Sequence, residues 1–186
     1  MQNSRNTSAD ELHKFLSFKI AEDNFGLSIL KVKEIIEYQE LTEVPMMPRF
    51  ICGAINLRGH VVPVIDLSVR LGRESQDIGR RTCVIITEVG SINDRMEVGL
   101  LVDAVNEVMD IHPRDIDPAP SFRGSVRTEF IHGMGKIGEK FIILLDIENI
   151  LSLQDIELLD CVDASIETLS SKKNDSTLTE SGLDVD

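Results

Sequence analysis

The side chains best suited to metal binding in this chain are four histidines, and they lie on separate segments. They are His13, His60, His112 and His132. No HExxH motif, cysteine pair or carboxylate stands near them at the spacing of metal ligands, so we expect neither a metal nor a cofactor. No nucleophile elbow or P-loop is present. The glycine-rich GMGKIG, residues 133–138, predicts a turn, because no helix follows that could point N–H groups at a phosphate.

Glu34 and Glu107 could form a carboxylate pair for acid–base chemistry, but internal duplication explains their similarity without catalysis. FGLSILKVKEII, residues 25–36, aligns with VGLLVDAVNEVM, residues 98–109. FICGAINLRGHVVPVIDL, starting at Phe50, aligns in the same order with FIHGMGKIGEKFIILLDI, starting at Phe130. The sequence therefore predicts two similarly built halves, residues 15–72 and 82–152, on either side of the polar segment GRESQDIGRR.

Within each half the pattern predicts short strands. Leu16, Phe18 and Ile20 alternate with polar residues, as in a half-buried strand. Residues 61–65 and 141–145 are apolar runs short enough to be buried strands.

Three features limit this assignment of strands. Pro63 predicts that the run 61–65 lies at a sheet edge or a bulge. Residues 30–36 fit a helix face and a strand equally well. Asp66 and Asp146 each stand where a carboxylate could cap a short helical turn, and Gly72 would end the first of these turns.

Composition excludes several classes of function. The net charge of −13 would repel a phosphate backbone, and no stripe of basic and aromatic residues offsets it, so nucleic acid is a poor partner. No apolar run reaches the length needed to cross a bilayer, and the first residues lack a signal-peptide core. We therefore expect a cytoplasmic protein without membrane insertion. Its three cysteines have no CxxC spacing, and we expect unpaired packing residues: Cys52, Cys83 and Cys161.

The two ends of the chain differ from its centre. An apolar stripe at helical spacing predicts an amphipathic helix over residues 153–170 that packs on the domain. The stripe consists of Ile156, Leu159, Val162, Ile166 and Leu169. Residues 171–186 form an acidic tail that we expect to be disordered, and we expect residues 1–12 to be flexible.

An isolated surface Glu or Arg is usually a solvated charge, and this applies first to Glu34 and Arg58. Duplicated small β-barrels, however, leave a groove at their junction, and an aliphatic groove with a few charges is typical of a protein-binding surface. Arginine is also a frequent interface anchor, because its flat guanidinium stacks and donates several hydrogen bonds. We therefore favour binding over catalysis.

Several blocks in order resemble the CheW family of chemotaxis coupling proteins, over about residues 14–160. They are FGLSILKVKEI, PRFICGAINLRG, INLRGHVVPVIDL, VGLLVDAV, IDPAPSF and FIHGMGKIGEKFIILLDIENIL. The resemblance implies a mainly β fold, with two five-stranded SH3-like barrels side by side, short helices and a C-terminal helix. It also implies that residues 30–36 form a turn leading into a strand.

The resemblance further implies a scaffold without enzymatic activity, which joins the cytoplasmic signalling tip of a chemoreceptor to the regulatory domain of the histidine kinase CheA. A free monomer would assemble into receptor–kinase arrays at the membrane. Carried over by motif, the residues implied to face receptor or kinase are Val32, Glu34, Gly53, Asn56, Arg58, Gly59, Val102 and Val105.

Three other interpretations remain open. In coupling proteins of the CheV kind a receiver domain follows the same scaffold, and we expect this chain to end too soon to hold one. The chain could instead serve a chemosensory-like pathway with a non-flagellar output. A third interpretation, of a different class, is a small β-barrel enzyme that uses Glu34, Arg58 and a histidine.

Overall fold

The computed structural model describes residues 11–75, 77–91, 94–119, 128–152, 154–155 and 157–158. The strands are β1 (His13–Ile20), β2 (Asp23–Ser28), β3 (Val32–Glu37), β4 (Ile51–Leu57), β5 (His60–Asp66), β6 (Cys83–Ser91), β7 (Asp94–Val102), β8 (Ala104–Ile111), β9 (Ile116–Asp117), β10 (Ile131–Ile137) and β11 (Lys140–Leu145). The short helices are α1 (Leu67–Arg70) and α2 (Ile147–Ile150), with 3₁₀ turns at Ile29–Lys31, Pro113–Asp115 and Thr128–Phe130. The predicted mainly β class is confirmed.

The predictions for the two ends fall largely outside the described residues. Residues 154, 155, 157 and 158 are helical. The apolar stripe of the predicted C-terminal helix, the acidic tail and residues 1–10 are not among the described residues.

The two sheets have the same strand order once equivalent strands of the repeats are matched. One sheet runs β8-β1-β2-β11-β10-β9 and the other runs β3-β6-β7-β5-β4. The alignment matches β1 with β6, β2 with β7, β3 with β8, β4 with β10 and β5 with β11. Each sheet therefore combines the first hairpin of one repeat with later strands of the other. The repeat boundary at residues 72–81 does not separate the two sheets.

Glycines lie where the exchanged hairpins meet the other repeat. The hairpins do so through two parallel strand pairs, in which Gly26 of β2 lies opposite Leu144 of β11 and Gly99 of β7 lies opposite Val64 of β5. A Cβ on Gly26 would lie 2.8 Å from Leu144 Cδ2, and one on Gly99 would lie 2.6 Å from Val84 Cγ1. Both distances are too short for real carbon atoms, so a side chain at either glycine would overpack the apolar inner face of its sheet.

Each repeat also has a bulge and a capped turn at equivalent positions. The register shifts at Gly53 in β4 and at Gly133 in β10. The predicted helical turns after Asp66 and Asp146 are confirmed, because these side chains accept hydrogen bonds from the Val69 and Glu148 N–H groups. Gly72, with φ of 82°, ends α1 as predicted.

Pro63 lies inside a sheet, so the prediction that it confines its strand to an edge or a bulge is wrong. β5 is bordered by β4 and β7. The partner of Pro63 on β4 is Ala54, whose own N–H and C=O bond to Thr42 on the other side. Ala54 and Pro63 therefore form a non-hydrogen-bonded pair, and pairing with β7 begins only at Val64. The missing N–H of proline costs no ladder hydrogen bond.

Two further segments can be compared with their predictions. GMGKIG is not simply a turn, since its residues 133–137 belong to β10 and only Gly138 reaches the turn. Residues 30–36 form the end of a 3₁₀ turn followed by β3, as the family resemblance implied.

The described residues form three apolar clusters. The largest lies between the sheets and joins Phe18 and Phe25 of one sheet to Ile65 and Leu100 of the other. A second cluster packs inside the five-stranded sheet around Val62, Val64, Val84 and Ile86. A third packs inside the other sheet around Phe15, Ile111, Ile142 and Leu144. Each sheet thus curls around an interior of its own.

Two of the cysteines can be placed, and both are unpaired. The Cys52 thiol donates to the Val64 carbonyl, and burial raises its pKa to about 12. Cys83 packs against the cluster between the sheets. Cys161 lies outside the described residues.

Strand β3 is at a sheet edge and is attached to the inner strands by charge. Lys33 Nζ lies 2.9 Å from Glu88 Oε1 and 2.5 Å from Glu97 Oε1. The pKa of Lys33 is raised, mainly by its hydrogen bond to Glu97 and next by its hydrogen bond to Glu88. The hydrogen bond from Lys33 in turn lowers the pKa of Glu88. Arg95 also approaches Glu88. These groups face solvent, so the network orients β3 more than it stabilises the fold.

Gly99→Ala should lower the free energy of unfolding by about 1–3 kcal/mol, because the new methyl group would overpack the apolar interior of the five-stranded sheet against Val84 and Val64. Gly79→Ala is the matched control, since its nearest contact would be Thr82 Oγ1 at 3.9 Å. Urea unfolding measures both variants. Equal effects of the two substitutions would show that this interior is not tightly packed around Gly99.

Glu88→Gln should lower the free energy of unfolding most near neutral pH. Lys33 depresses the pKa of Glu88 in the folded protein. The ionised Glu88 therefore stabilises the fold fully at pH values above the pKa that Glu88 has in the unfolded chain, and this stabilisation is lost as the pH falls through its pKa in the folded protein. Urea unfolding at a series of pH values should therefore show the wild-type and variant stabilities converging in acid. Glu43→Gln, at an exposed loop position, is the control. A gap between wild type and Glu88→Gln that stays constant with pH would contradict this assignment.

Candidate protein-binding surface

Three of the predicted site residues form one hairpin turn between β4 and β5. Arg58 and Gly59 are its two central residues, with φ of 55° and 92°. Positive φ at both positions is the pattern of a type I′ turn, which matches the twist of the flanking strands. Asn56 Oδ1 accepts a hydrogen bond from the Gly59 N–H at 2.9 Å and closes the turn. Asn56 and Gly59 thus shape the loop that presents Arg58.

Arg58 occupies a position that suits glycine better. Left-handed backbone costs a residue with a Cβ about 1 kcal/mol, and the equivalent residue of the second repeat is Gly138, with φ of 59°. Arginine therefore does not help to form the turn. Its side chain is 77% exposed, which leaves the guanidinium accessible to a partner.

Glu34 and Arg58 form an ion pair. Arg58 Nη2 lies 2.8 Å from Glu34 Oε2, and the carboxylate is 27% exposed. Glu34 is on β3 and Arg58 follows β4, so the pair joins the two edge strands of the five-stranded sheet. A pair as exposed as this contributes only about 0–1 kcal/mol. Its main effect is to hold both charges in a fixed orientation at the surface.

Two valines from different repeats pack on the same apolar cluster. Val32 on β3 and Val105 on β8 are equivalent residues, and both are partly buried against the cluster between the sheets. Val105 lies opposite Phe18 of β1. They retain exposed surface and are therefore available for contact with a partner.

Val102 and Gly53 do not offer an accessible surface. Val102 is only 2% exposed, because it ends the inner strand β7 facing the cluster between the sheets, so the expectation that it lines a groove is not met. Gly53 is buried at the β4 bulge, where a Cβ would lie 2.7 Å from the Thr42 carbonyl oxygen. Both residues support the surface from beneath.

Sequence reasoning missed Leu30, which is 91% exposed on the 3₁₀ turn before β3. A groove of about 580 Å³ lies beside it, between the start of β1, this turn, His132 and Ile147. The signal available in the sequence was the ambiguous segment 30–36. In β3, which follows the turn, every second residue is half-buried and the residues between them are exposed.

The described residues do not assemble a catalytic or metal site. Glu34 and Glu107 lie on strands of different sheets, and Glu34 is bonded to Arg58. Among the described ranges, no three His, Cys, Asp or Glu side chains are grouped as metal ligands. Nor does any helix in those ranges have the length and apolarity to cross a bilayer.

Comparisons with known proteins agree with this geometry. The family model of the CheW-like domain matches residues 14–155. Chemotaxis protein CheW of Klebsiella aerogenes is 38% identical over 149 residues, which cover 80% of this chain and 87% of that protein. CheV3 of Helicobacter pylori is 33% identical over 138 residues, but only 42% of its length is covered.

A solved structure has a similar fold over most of the chain. The crystal structure of the scaffolding protein TtCheW from Thermoanaerobacter tengcongensis matches with a TM-score of 0.70 and 32% identity, over 82% of this chain and 96% of that one. The duplicated sheets, the surface without catalytic groups and these similarities lead to one conclusion: this chain belongs to the CheW family of non-enzymatic chemotaxis coupling proteins.

Proposed function

We propose that this chain bridges the cytoplasmic signalling tip of a chemoreceptor to the regulatory domain of the kinase CheA. The observation that carries the receptor half of the proposal is the Arg58–Glu34 pair. It is an exposed arginine held at a backbone position that favours glycine and oriented by a carboxylate on β3, the opposite edge strand of the sheet. Strain that a fold retains without structural benefit is a sign of function.

The receptor partner is a helix with an apolar face. Val32 and Val105 provide aliphatic surface from the two repeats, and an amphipathic helix buries its apolar side chains on such a surface. Arg58 and Glu34 provide one charge of each sign at its rim, which fixes the orientation of the helix.

The chain acts as a monomer when free and assembles with receptor and kinase into arrays at the cytoplasmic face of the membrane. Each contact is individually weak, and repetition of the contacts within an array raises the overall affinity. This accounts for a scaffold with modest exposed apolar patches and no chemistry of its own.

Arg58→Glu should abolish co-sedimentation with vesicles that carry a receptor signalling domain, because it places two negative charges side by side and removes the only positive charge of the turn. The circular dichroism spectrum should not change, since the pair contributes little to stability. Arg114→Glu, at another exposed arginine, is the control and should bind normally. Retained binding by Arg58→Glu would refute the receptor-facing assignment.

The double variant Glu34→Arg/Arg58→Glu separates the internal role of the pair from its role in binding. The swap restores an ion pair within the chain but reverses both charges presented to the receptor. We expect binding to remain lost. Restored binding would show that Arg58 matters only because it contacts Glu34.

Arg58→Asn should leave the free energy of unfolding unchanged or raise it by up to about 1 kcal/mol, because asparagine tolerates left-handed backbone. The same variant should lose receptor binding. Urea unfolding and co-sedimentation measure the two effects on one sample. A variant that is destabilised by more than about 1 kcal/mol would show that Arg58 is structural.

A further inference from the structure

Arg70, the last residue of α1, is an arginine that the receptor-facing surface does not use. Its side chain is only 16% exposed. The guanidinium carbon lies 4.4 Å from the ring centre of Phe50 and 5.3 Å from that of Phe130. Its Nε donates to the Ile150 carbonyl at 2.6 Å, and Nη2 lies 2.7 Å from Asp155 Oδ2. A mostly buried cation thus contacts two rings, a carbonyl and a carboxylate.

The contacts of Arg70 connect the two repeats. Phe50 and Phe130 are equivalent residues, each directly before the first strand of the second hairpin of its repeat. Their carbonyls accept equivalent hydrogen bonds from the Asp66 and Asp146 N–H groups. Ile150 is the residue equivalent to Arg70 itself, and its side chain cannot make any of these polar contacts. Arg70 of the first repeat therefore contacts the second repeat, and Ile150, its equivalent, cannot make the same polar contacts with the first repeat.

The carboxylate partner of Arg70 is fixed in place. Asp155 Oδ2 also accepts hydrogen bonds from the Ser152 N–H at 2.8 Å and the Ser152 hydroxyl at 2.7 Å. The Asp155 side chain is 13% exposed, so it would be costly to leave without its counter-charge. The backbone that follows α2 is thereby attached to α1.

The rings that Arg70 contacts belong to the same apolar cluster as the proposed receptor contacts. Phe130 is a buried member of the cluster between the sheets, and Phe50, Val32 and Val105 pack against it. Protein interiors are close-packed, so a shift of the two rings is passed to neighbouring side chains. Arg70 can therefore affect Val32 and Val105 without touching a partner.

We propose that Arg70 is a positioning residue that fixes the first repeat against the second and so sets the placement of Val32 relative to Val105. The proposal rests on the receptor-facing role of these valines. A planar guanidinium can lie over both rings while separate nitrogens bond the Ile150 carbonyl and Asp155. Lysine carries a single ammonium nitrogen and cannot make all of these contacts at the same time.

A double-mutant cycle in receptor binding tests this role. Arg70→Met, which keeps most of the aliphatic packing, should weaken the affinity for receptor-bearing vesicles about fivefold in the wild-type background and less than about twofold in a Val105→Ala background. Arg114→Met, at an exposed arginine on the 3₁₀ turn after β8, is the control and should show no such dependence on Val105. Urea curves ensure that every variant is compared under conditions where it is folded. Arg70→Lys enters the same cycle if Arg70→Met does not fold.

The outcomes distinguish this proposal from the proposed function. The positioning role would be overturned if the fold-changes in affinity caused by Arg70→Met and Val105→Ala simply multiplied in the double variant. It would also be overturned if Arg70→Met bound as well as wild type. In both cases the proposed function stands if Arg58→Glu still abolishes binding. Normal binding by both Arg58→Glu and Val105→Ala would instead overturn the receptor-facing surface itself. Rescue of binding by Arg70→Lys to the wild-type value would show that charge alone matters, which also contradicts the proposed stacking role.

Discussion

Two parallel strand pairs, β2 with β11 and β7 with β5, join each hairpin to the other repeat and determine how both sheets are built. Gly26 and Gly99 lie in these pairs and leave room for the apolar side chains on the inner face of each sheet. Because each repeat completes the sheet of the other, the repeats cannot separate without breaking both sheets. The result is one interior between the sheets, on which side chains from both repeats are held in fixed positions. A rigid surface of this kind suits a scaffold, which binds partners without changing them.

The two repeats share a framework and differ where binding is proposed. Both have a bulge glycine, an aspartate cap and a parallel junction. At the hairpin turn, the first repeat has Arg58 and the second has Gly138, flanked by the exposed apolar residues Ile137 and Phe141. At the end of the short helix, the first repeat has Arg70 and the second has Ile150. Divergence at these two equivalent positions thus makes the two repeats chemically different, one at the surface and the other in the interior.

Much of this architecture could be predicted from the sequence, because the constraints at glycines, caps and strands are local. Alignment of the repeats gave the equivalent strands, and Asp66 and Asp146 gave both helical turns. The exchange of hairpins could not be predicted, since equal repeats pair equally well within a half or between halves. Pro63 was misjudged because its tolerance depends on the hydrogen bonds of its neighbour Ala54 to Thr42. Arg70 was missed because its partners come from distant parts of the chain.

Sedimentation of the CheA regulatory domain with receptor vesicles measures bridging itself. Vesicles carrying a receptor signalling domain are mixed with the CheA regulatory domain, with or without this chain. We expect the kinase domain to sediment only when the chain is present, and we expect Arg58→Glu to prevent it. Sedimentation of the kinase domain independent of the chain, or no sedimentation with the wild-type chain, would refute bridging.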